Sequence, residues 1–266
     1  MELWQSLVLS LIQGITEFLP ISSSGHLVIT REIFNWNEAG AAFDAFTGLG
    51  TLTAVLIYFR REVLELLTAF FKQKNQGLNF DPNATLANQL LIASIPAFIF
   101  GFLIKDTVDN WGHKPLLIAS TTLIFALFLQ ITDLWGVKKK QLSDFTLKTA
   151  IIVGLFQAIA LIPGTSRSGI TITAALLLGF NRQASAKFSF LLSIPISAAA
   201  GLYGLLKIGS DPTGIGFIAL LLSFLISFGS AYLCIALFLK FLNKIGMWPH
   251  TIYRIFLATF LFLKFY

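Results

Sequence analysis

The chain has 266 residues, of which 56% are hydrophobic and 12% charged, against roughly 25% charged in an average soluble domain. That balance excludes an ordinary soluble domain, because the apolar residues fall in runs of about 17 to 22, the length that crosses a bilayer core. The net charge of +6 forms no separate patch: Lys and Arg flank the apolar runs, as in membrane proteins, so a nucleic-acid partner is not expected. The single cysteine, Cys234, lies inside an apolar run, cannot form an internal disulfide and reads as a small hydrophobe.

In chain order, the first apolar stretch, 1–34, is preceded only by the acidic Glu2, whereas a secretory signal begins with basic residues; it is read as part of the mature structure. It is broken in the middle by QGITEFLPISSSGH. The stretch 149–180 is broken in the same way by QAIALIPGTSRSG. Six uninterrupted runs, at 43–59, 88–104, 115–132, 188–206, 215–236 and 250–265, are predicted to cross the membrane. The two broken stretches are predicted to be helical hairpins that enter it and return.

Irregular backbone at membrane depth has to be buried in protein or line a cavity, since lipid offers no hydrogen-bond partners. Two breaks therefore predict one shared polar cavity. A shift of 144 residues puts Gln13 on Gln157, Ser22 on Ser166, Ser24 on Ser168 and Gly25 on Gly169, which predicts an internal repeat. With Arg60 on the cytoplasmic side, alternation of the loops gives that side thirteen of the nineteen Lys and Arg, Arg182, Lys187 and Arg254 among them. Five (Arg31, Lys105, Lys114, Lys207 and Lys264) fall outside, and Arg167 lies within the membrane. The same threading inverts the second repeat relative to the first and leaves both termini outside. The expected fold is an all-α polytopic bundle forming one membrane domain, 1–266, with one repeat over about 1–132 and the other over about 145–266. Secondary transporters use this arrangement too, so a carrier or flippase of a lipid or small anion is the competing reading.

Ionised side chains at membrane depth cost roughly 2.5–3.5 kcal/mol on insertion scales, which singles out Glu17 and Arg167, with His26 beside them. Ser22, Ser23, Ser24 and Gly25 in the first break, and Thr165, Ser166, Ser168 and Gly169 in the second, precede apolar helical runs and carry the signature of helix N-termini. Two such N-termini converging on one cavity make an anion site of backbone N–H groups, with glycines that let the backbone approach an oxyanion. Arg167 adds a planar fork suited to phosphate. His26 can serve as general acid, base or nucleophile; Ser23 as nucleophile or phosphate donor; Glu17 as base, as the group that orients His26, or as a ligand for a divalent cation. Gln13, four residues before Glu17, shares its helix face. Gln157 reads either as a helix–helix hydrogen bond or as its counterpart at the site. Asp44 reads either as a helix-start residue or as pocket lining. His113 and His250, beside Lys114 and Trp248, are expected among lipid headgroups.

The paired motifs QGITEFLPISSSGH (13–26) and PGTSRSG (163–169), together with FSFLLSIP at 188–195, resemble those of the bacitracin-resistance type of undecaprenyl-diphosphate phosphatase over essentially the whole chain. The resemblance implies hydrolysis of undecaprenyl diphosphate to the monophosphate at the outer face of the bacterial cytoplasmic membrane. It also implies a divalent cation (Mg²⁺ or Ca²⁺), a homodimer, and catalysis by Glu17, Ser23, His26 and Arg167 with Ser22 and Ser166 on the phosphate. Gln13 stands where many members carry Glu, which weakens a metal site built on carboxylates at 13 and 17.

Overall fold

The structure is a computed structural model that describes residues 2–37, 40–76, 81–112, 114–206 and 215–266; His113 and Lys207 lie outside the described residues. Among these residues the fold is all-helical, its one β-type contact being an isolated bridge between Lys140 and Phe180. The helices run in the order α1 Leu3–Phe18, α2 Ser23–Phe34, α3 Gly40–Tyr58, α4 Arg60–Gln76, α5 Pro82–Leu103 and α6 Lys105–Gly112. They continue with α7 Pro115–Trp135, α8 Leu147–Ile159, α9 Arg167–Leu177, α10 Arg182–Leu206, α11 Phe217–Ile245 and α12 Trp248–Phe265.

Five of these, α3, α5, α7, α10 and α11, are long and apolar enough to cross a membrane. They overlap five of the six expected runs. Helix α12 covers the sixth expected run but is not among the five; its 18 residues carry Arg254 and Lys264. Helices α1, α2, α8 and α9 have 16, 12, 13 and 11 residues, so each extends about 17–24 Å, short of a hydrocarbon core of about 30 Å. Amphipathic α4 was not anticipated. It leaves Leu64, Leu67 and Phe71 exposed on one side and buries Leu66 and Ala69 on the other. Its Glu62 accepts a hydrogen bond from Lys187 of α10 at 2.8 Å. Partial burial pushes the Glu62 carboxyl up, yet the Lys187 hydrogen bond and charge win and hold it below the usual carboxylate range.

Helix ends follow from local chemistry. Asp81 caps α5 by accepting from the N–H groups of Asn83 and Ala84, with Pro82 at the first helical position. Helix α1 stops before Pro20, whose ring disfavours a helical Leu19; Leu19 is extended (ψ 144°). Helix α8 runs out before Pro163 and Gly164. Gly164 has φ +88°, and a Cβ on it would meet the Ile118 carbonyl at 2.5 Å, so both conformation and space require glycine there.

Because lipid is as apolar as leucine, helices in a membrane associate by close packing of small residues more than by the hydrophobic effect. Gly14 and Gly50 press α1 and α3 onto α11, where an added Cβ would lie 2.6 Å from the Ser227 carbonyl and 2.5 Å from the Phe224 carbonyl respectively. Gly154 presses α8 onto α5, with the Ala93 Cα 2.8 Å from where its Cβ would be. The first hairpin therefore packs on a late helix and the second on an early one. At the end of the bundle formed by the C-terminus of α7 and the N-terminus of α10, Asp133 accepts from Arg182 twice, at 2.6 and 2.8 Å, and from the Met247 N–H. There too the Phe145 ring stacks at 3.8 Å on both Phe180 and Phe188.

Candidate active site

The two breaks adopt the same conformation 144 residues apart. Ser22 (φ 74°, ψ 94°) and Ser166 (φ 72°, ψ 110°) are both N-caps with positive φ, which is uncommon for a residue with a side chain. Each hydroxyl accepts from the N–H three residues on: Ser22 from Gly25 at 3.4 Å and Ser166 from Gly169 at 3.2 Å. Each also faces the next serine but one, Ser24 at 3.5 Å and Ser168 at 3.3 Å. The Gly25 and Gly169 N–H groups already have protein acceptors. A Cβ at Gly169 would crowd Ser166 at 3.1 Å, and one at Gly25 would crowd Ser22 at 3.2 Å, so glycine lets each cap close.

The loops interlock. The Ser168 hydroxyl donates to the Leu19 carbonyl at 2.9 Å, and Thr121 and Thr122 of α7 donate to the carbonyls of Pro163 and Gly164 at 2.6 and 3.2 Å. Across this junction the charged residues meet. The Arg167 Nη2 donates to Glu17 Oε1 at 2.8 Å, and its Nη1 donates to the Ser189 carbonyl at 3.3 Å. The other carboxylate oxygen, Oε2, accepts from the Ser23 hydroxyl at 2.7 Å and from the Gln13 amide at 3.0 Å. The guanidinium also lies 5.9 Å from the Phe18 ring centroid. Gln13, Glu17, Ser23 and Arg167 are thus one hydrogen-bonded unit made by α1, α2 and α9.

This unit opens into two adjoining cavities. One, of about 440 Å³, is lined by Gln13, Glu17, Asp44, Gln157 and Arg167 among small apolar residues of α3 and α10. The other, of about 270 Å³, is lined by Gln13, Ser23, Ser24, Arg31, Asp44 and Thr47. Asp44 therefore lines both. Gln157 is 2% exposed; its amide nitrogen makes a long contact to the Ala93 carbonyl at 3.5 Å, and its carbonyl oxygen is buried without a partner. Both readings of Gln157 hold in part. Thr165 is fully buried with an unpartnered hydroxyl, and Ser166 and Ser168 are buried as cap and cross-link.

His26 is oriented differently from the other three expected catalytic residues. Its Nδ1 lies 2.6 Å from the Ser22 carbonyl, an acceptor, so Nδ1 carries a proton. The other nitrogen, Nε2, meets the Tyr253 hydroxyl at 2.5 Å, and the two rings stack at 5.5 Å. The hydrogen bonds described for His26 run to these two groups and not to Glu17 or Arg167. It shares one face of α2 with Ser23, three residues earlier.

Two residues of α12 escaped the sequence analysis. Tyr253 holds His26. Arg254, assigned to the cytoplasmic loops, is instead fully buried, with its donors on the carbonyls of Pro20, Gly164 and Thr165. The signal was present: Arg254 stands inside an apolar run, as Arg167 does, and not at its end. The positive-side bias keeps its sign without it. His250 also departs from expectation. It packs edge-on against Phe238 with Nδ1 buried and unpartnered, an inward contact that the sequence did not indicate.

The donor set was tested for a divalent cation. Both oxygens of Glu17 are occupied, one by a guanidinium whose charge opposes a cation, and no cluster of three His, Cys, Asp or Glu exists among the described residues. These side chains do not build a cation site on their own.

Residues 6–260 match the family model described as bacitracin resistance protein BacA. The chain is 55% identical over 266 residues, the whole of both chains, to the undecaprenyl-diphosphatase of Dichelobacter nodosus. It is 46% identical to that of Teredinibacter turnerae over 99% of both chains, and 46% identical to undecaprenyl-diphosphatase 1 of Pseudoalteromonas translucida over 97% of both. The family match spans nearly the whole chain, and the chain belongs to the bacitracin resistance protein BacA family.

Proposed function

We infer that this chain hydrolyses undecaprenyl diphosphate to undecaprenyl phosphate and inorganic phosphate, which returns the lipid carrier to peptidoglycan synthesis and confers bacitracin resistance. The observation that carries the reading is a single carboxylate, Glu17, bonded to a serine hydroxyl on one side and an arginine on the other. A carrier that only binds and releases an anion has no use for a hydroxyl paired with a base. A phosphatase that attacks through a serine does.

In this reading Arg167 grips the terminal phosphate. Two of its five N–H groups are used by Glu17 and Ser189, which leaves three for phosphate oxygens and for the charge that grows in phosphoryl transfer. The Ser23 Oγ attacks the terminal phosphorus while its proton passes to Glu17 Oε2, and the bond to the departing undecaprenyl phosphate breaks. Water then attacks the phosphoserine: its oxygen bonds to phosphorus, the Ser23 Oγ leaves and recovers the proton from Glu17, and phosphate is released. Gln13 holds the carboxylate in place. His26, locked by Tyr253 one turn along α2, fixes the helix that carries Ser23 and completes the catalytic set. The divalent cation implied by the family resemblance has no ready-made site among these side chains, and no step here depends on it.

The reading extends to topology: six crossings and two re-entrant hairpins in inverted repeats, as a homodimer in the cytoplasmic membrane. The matched Ser22 and Ser166 turns and the reciprocal packing of α1 on α11 and α8 on α5 support it. Along α10, Arg182 and Lys187 stand about 20–30 Å from the cavity-lining residues Ala200, Gly201 and Gly204. Positive charge gathers on the cytoplasmic side, so the cavity faces outward. Phosphate release from undecaprenyl diphosphate by purified protein tests the activity; wild-type protein that releases none refutes it. Cysteine labelling from outside near Gly204 tests the sidedness, and cross-linking in native membranes tests the dimer.

A further inference from the structure

We propose that Arg254 is a positioning residue of the site: from α12 it fixes the two hairpin loops to each other and supplies a buried positive charge that the bound diphosphate balances. The inference rests on the phosphatase reading. The guanidinium is fully buried. Its Nη1 donates to the Pro20 carbonyl of the first hairpin at 3.3 Å; its Nη2 donates to the Gly164 and Thr165 carbonyls of the second at 2.9 and 3.1 Å. One rigid planar group thus sets the distance between the turn leading to Ser23 and the turn leading to Arg167, the two residues that meet on Glu17.

All three acceptors are neutral carbonyls, and the Nε has no partner. No ion pair to Arg254 exists among the described residues, and Glu17 is paired with Arg167. A neutral amide could staple carbonyls without the expense of burying an ion, so the retained charge calls for a counter-charge from outside the protein. The position suits an anion at the loops. A Cβ on Gly169 would lie 3.2 Å from Arg254 Nη1, which puts the guanidinium against the first turn of α9, behind the Ser166 cap and one residue from Arg167 on the chain side. In a trans peptide the N–H points opposite to the carbonyl, so holding the Thr165 carbonyl turns the Ser166 N–H away from Arg254. The neighbouring Tyr253 holds His26, so α12 braces both the loops and α2.

The test uses purified full-length protein, with kcat and KM for undecaprenyl diphosphate and the thermal shift produced by inorganic pyrophosphate as readouts. Arg254→Gln keeps donors but removes the charge; its KM should rise by about tenfold or more and its pyrophosphate shift should fall to less than half. Arg254→Lys keeps a charge that burial makes titratable, so its KM should stay within about threefold of wild type at low pH and rise relative to wild type at the same pH as pH increases. If Arg254→Gln does not fold, the lysine variant decides alone through its pH profile. A purely structural staple predicts lower melting temperatures with unchanged KM, pyrophosphate shift and pH profile, and that result would overturn the proposal. Inactive wild-type protein would count against the phosphatase reading instead.

Discussion

The two hairpins share a backbone and divide the chemistry. Their turns superpose in conformation at Ser22 and Ser166, and both are capped in the same way. The first carries Glu17, Ser23 and His26; the second has Leu161, Arg167 and Ile170 at those three positions. Burial differs as sharply. In α9 every residue from Ser168 to Leu176 is buried, whereas α2 buries only Gly25 and Ile29. The second hairpin is a packed interior wall with one arginine projecting from it, and the first presents its polar face to the cavities. Two turns of one conformation supply two helix N-termini, and a few differing side chains give the first hairpin a carboxylate and hydroxyl and the second an arginine.

The largest expected effect falls on that grip. Arg167→Ala should lower phosphate release by about a thousandfold or more, because it removes the phosphate clamp and leaves Glu17 without its ion pair. Arg167→Lys should recover little of it, since an ammonium cannot reproduce the planar fork. Next is the reactive face: Ser23→Ala should cost about a hundredfold or more in kcat with a smaller change in KM. Wild-type kcat in that variant would return the attack to water. Third, Gln157→Leu should leave the melting temperature unchanged or raise it, because the amide oxygen it removes has no partner, and should slow turnover by less than about tenfold. A collapse of activity there would make the second hairpin chemically active too. The smallest effect lies outside both hairpins. The Glu62 carboxyl is held low in the folded state, so its contact with Lys187 stabilises above the unfolded carboxylate pKa and fades as pH falls through the folded value. Thermal melts of Glu62→Gln should show a deficit of about 1 kcal/mol or less at neutral pH that disappears in acid.

The breaks, the caps and the Gln13–Glu17 pair were legible in the sequence because each depends on neighbours within four residues or on the chemistry of Pro, Gly and Ser. Glu17 and Arg167 could be singled out by the cost of charge in lipid, although 150 positions separate them. What sequence could not give was direction. His26 turns to Tyr253, 227 positions away, and Arg254, whose place inside an apolar run could be read, reaches carbonyls about 90 and 234 positions away that nothing local identifies. The glycines after the caps were legible as necessary, but their part in closing the caps was not, since the crowding against Ser22 and Ser166 appears only once the turns are built. Helix α4 hid because charges at Arg60, Arg61, Glu62, Glu65, Lys72 and Lys74 leave it no apolar run long enough to cross a bilayer.

Turnover in a double-mutant cycle of Glu17→Ala and Arg167→Ala tests most directly whether the two hairpins form one catalytic unit. Residues that act together give non-additive losses, so the double variant should be no slower than the worse single variant by more than about threefold. Losses that multiply, or wild-type turnover in either single variant, would contradict it.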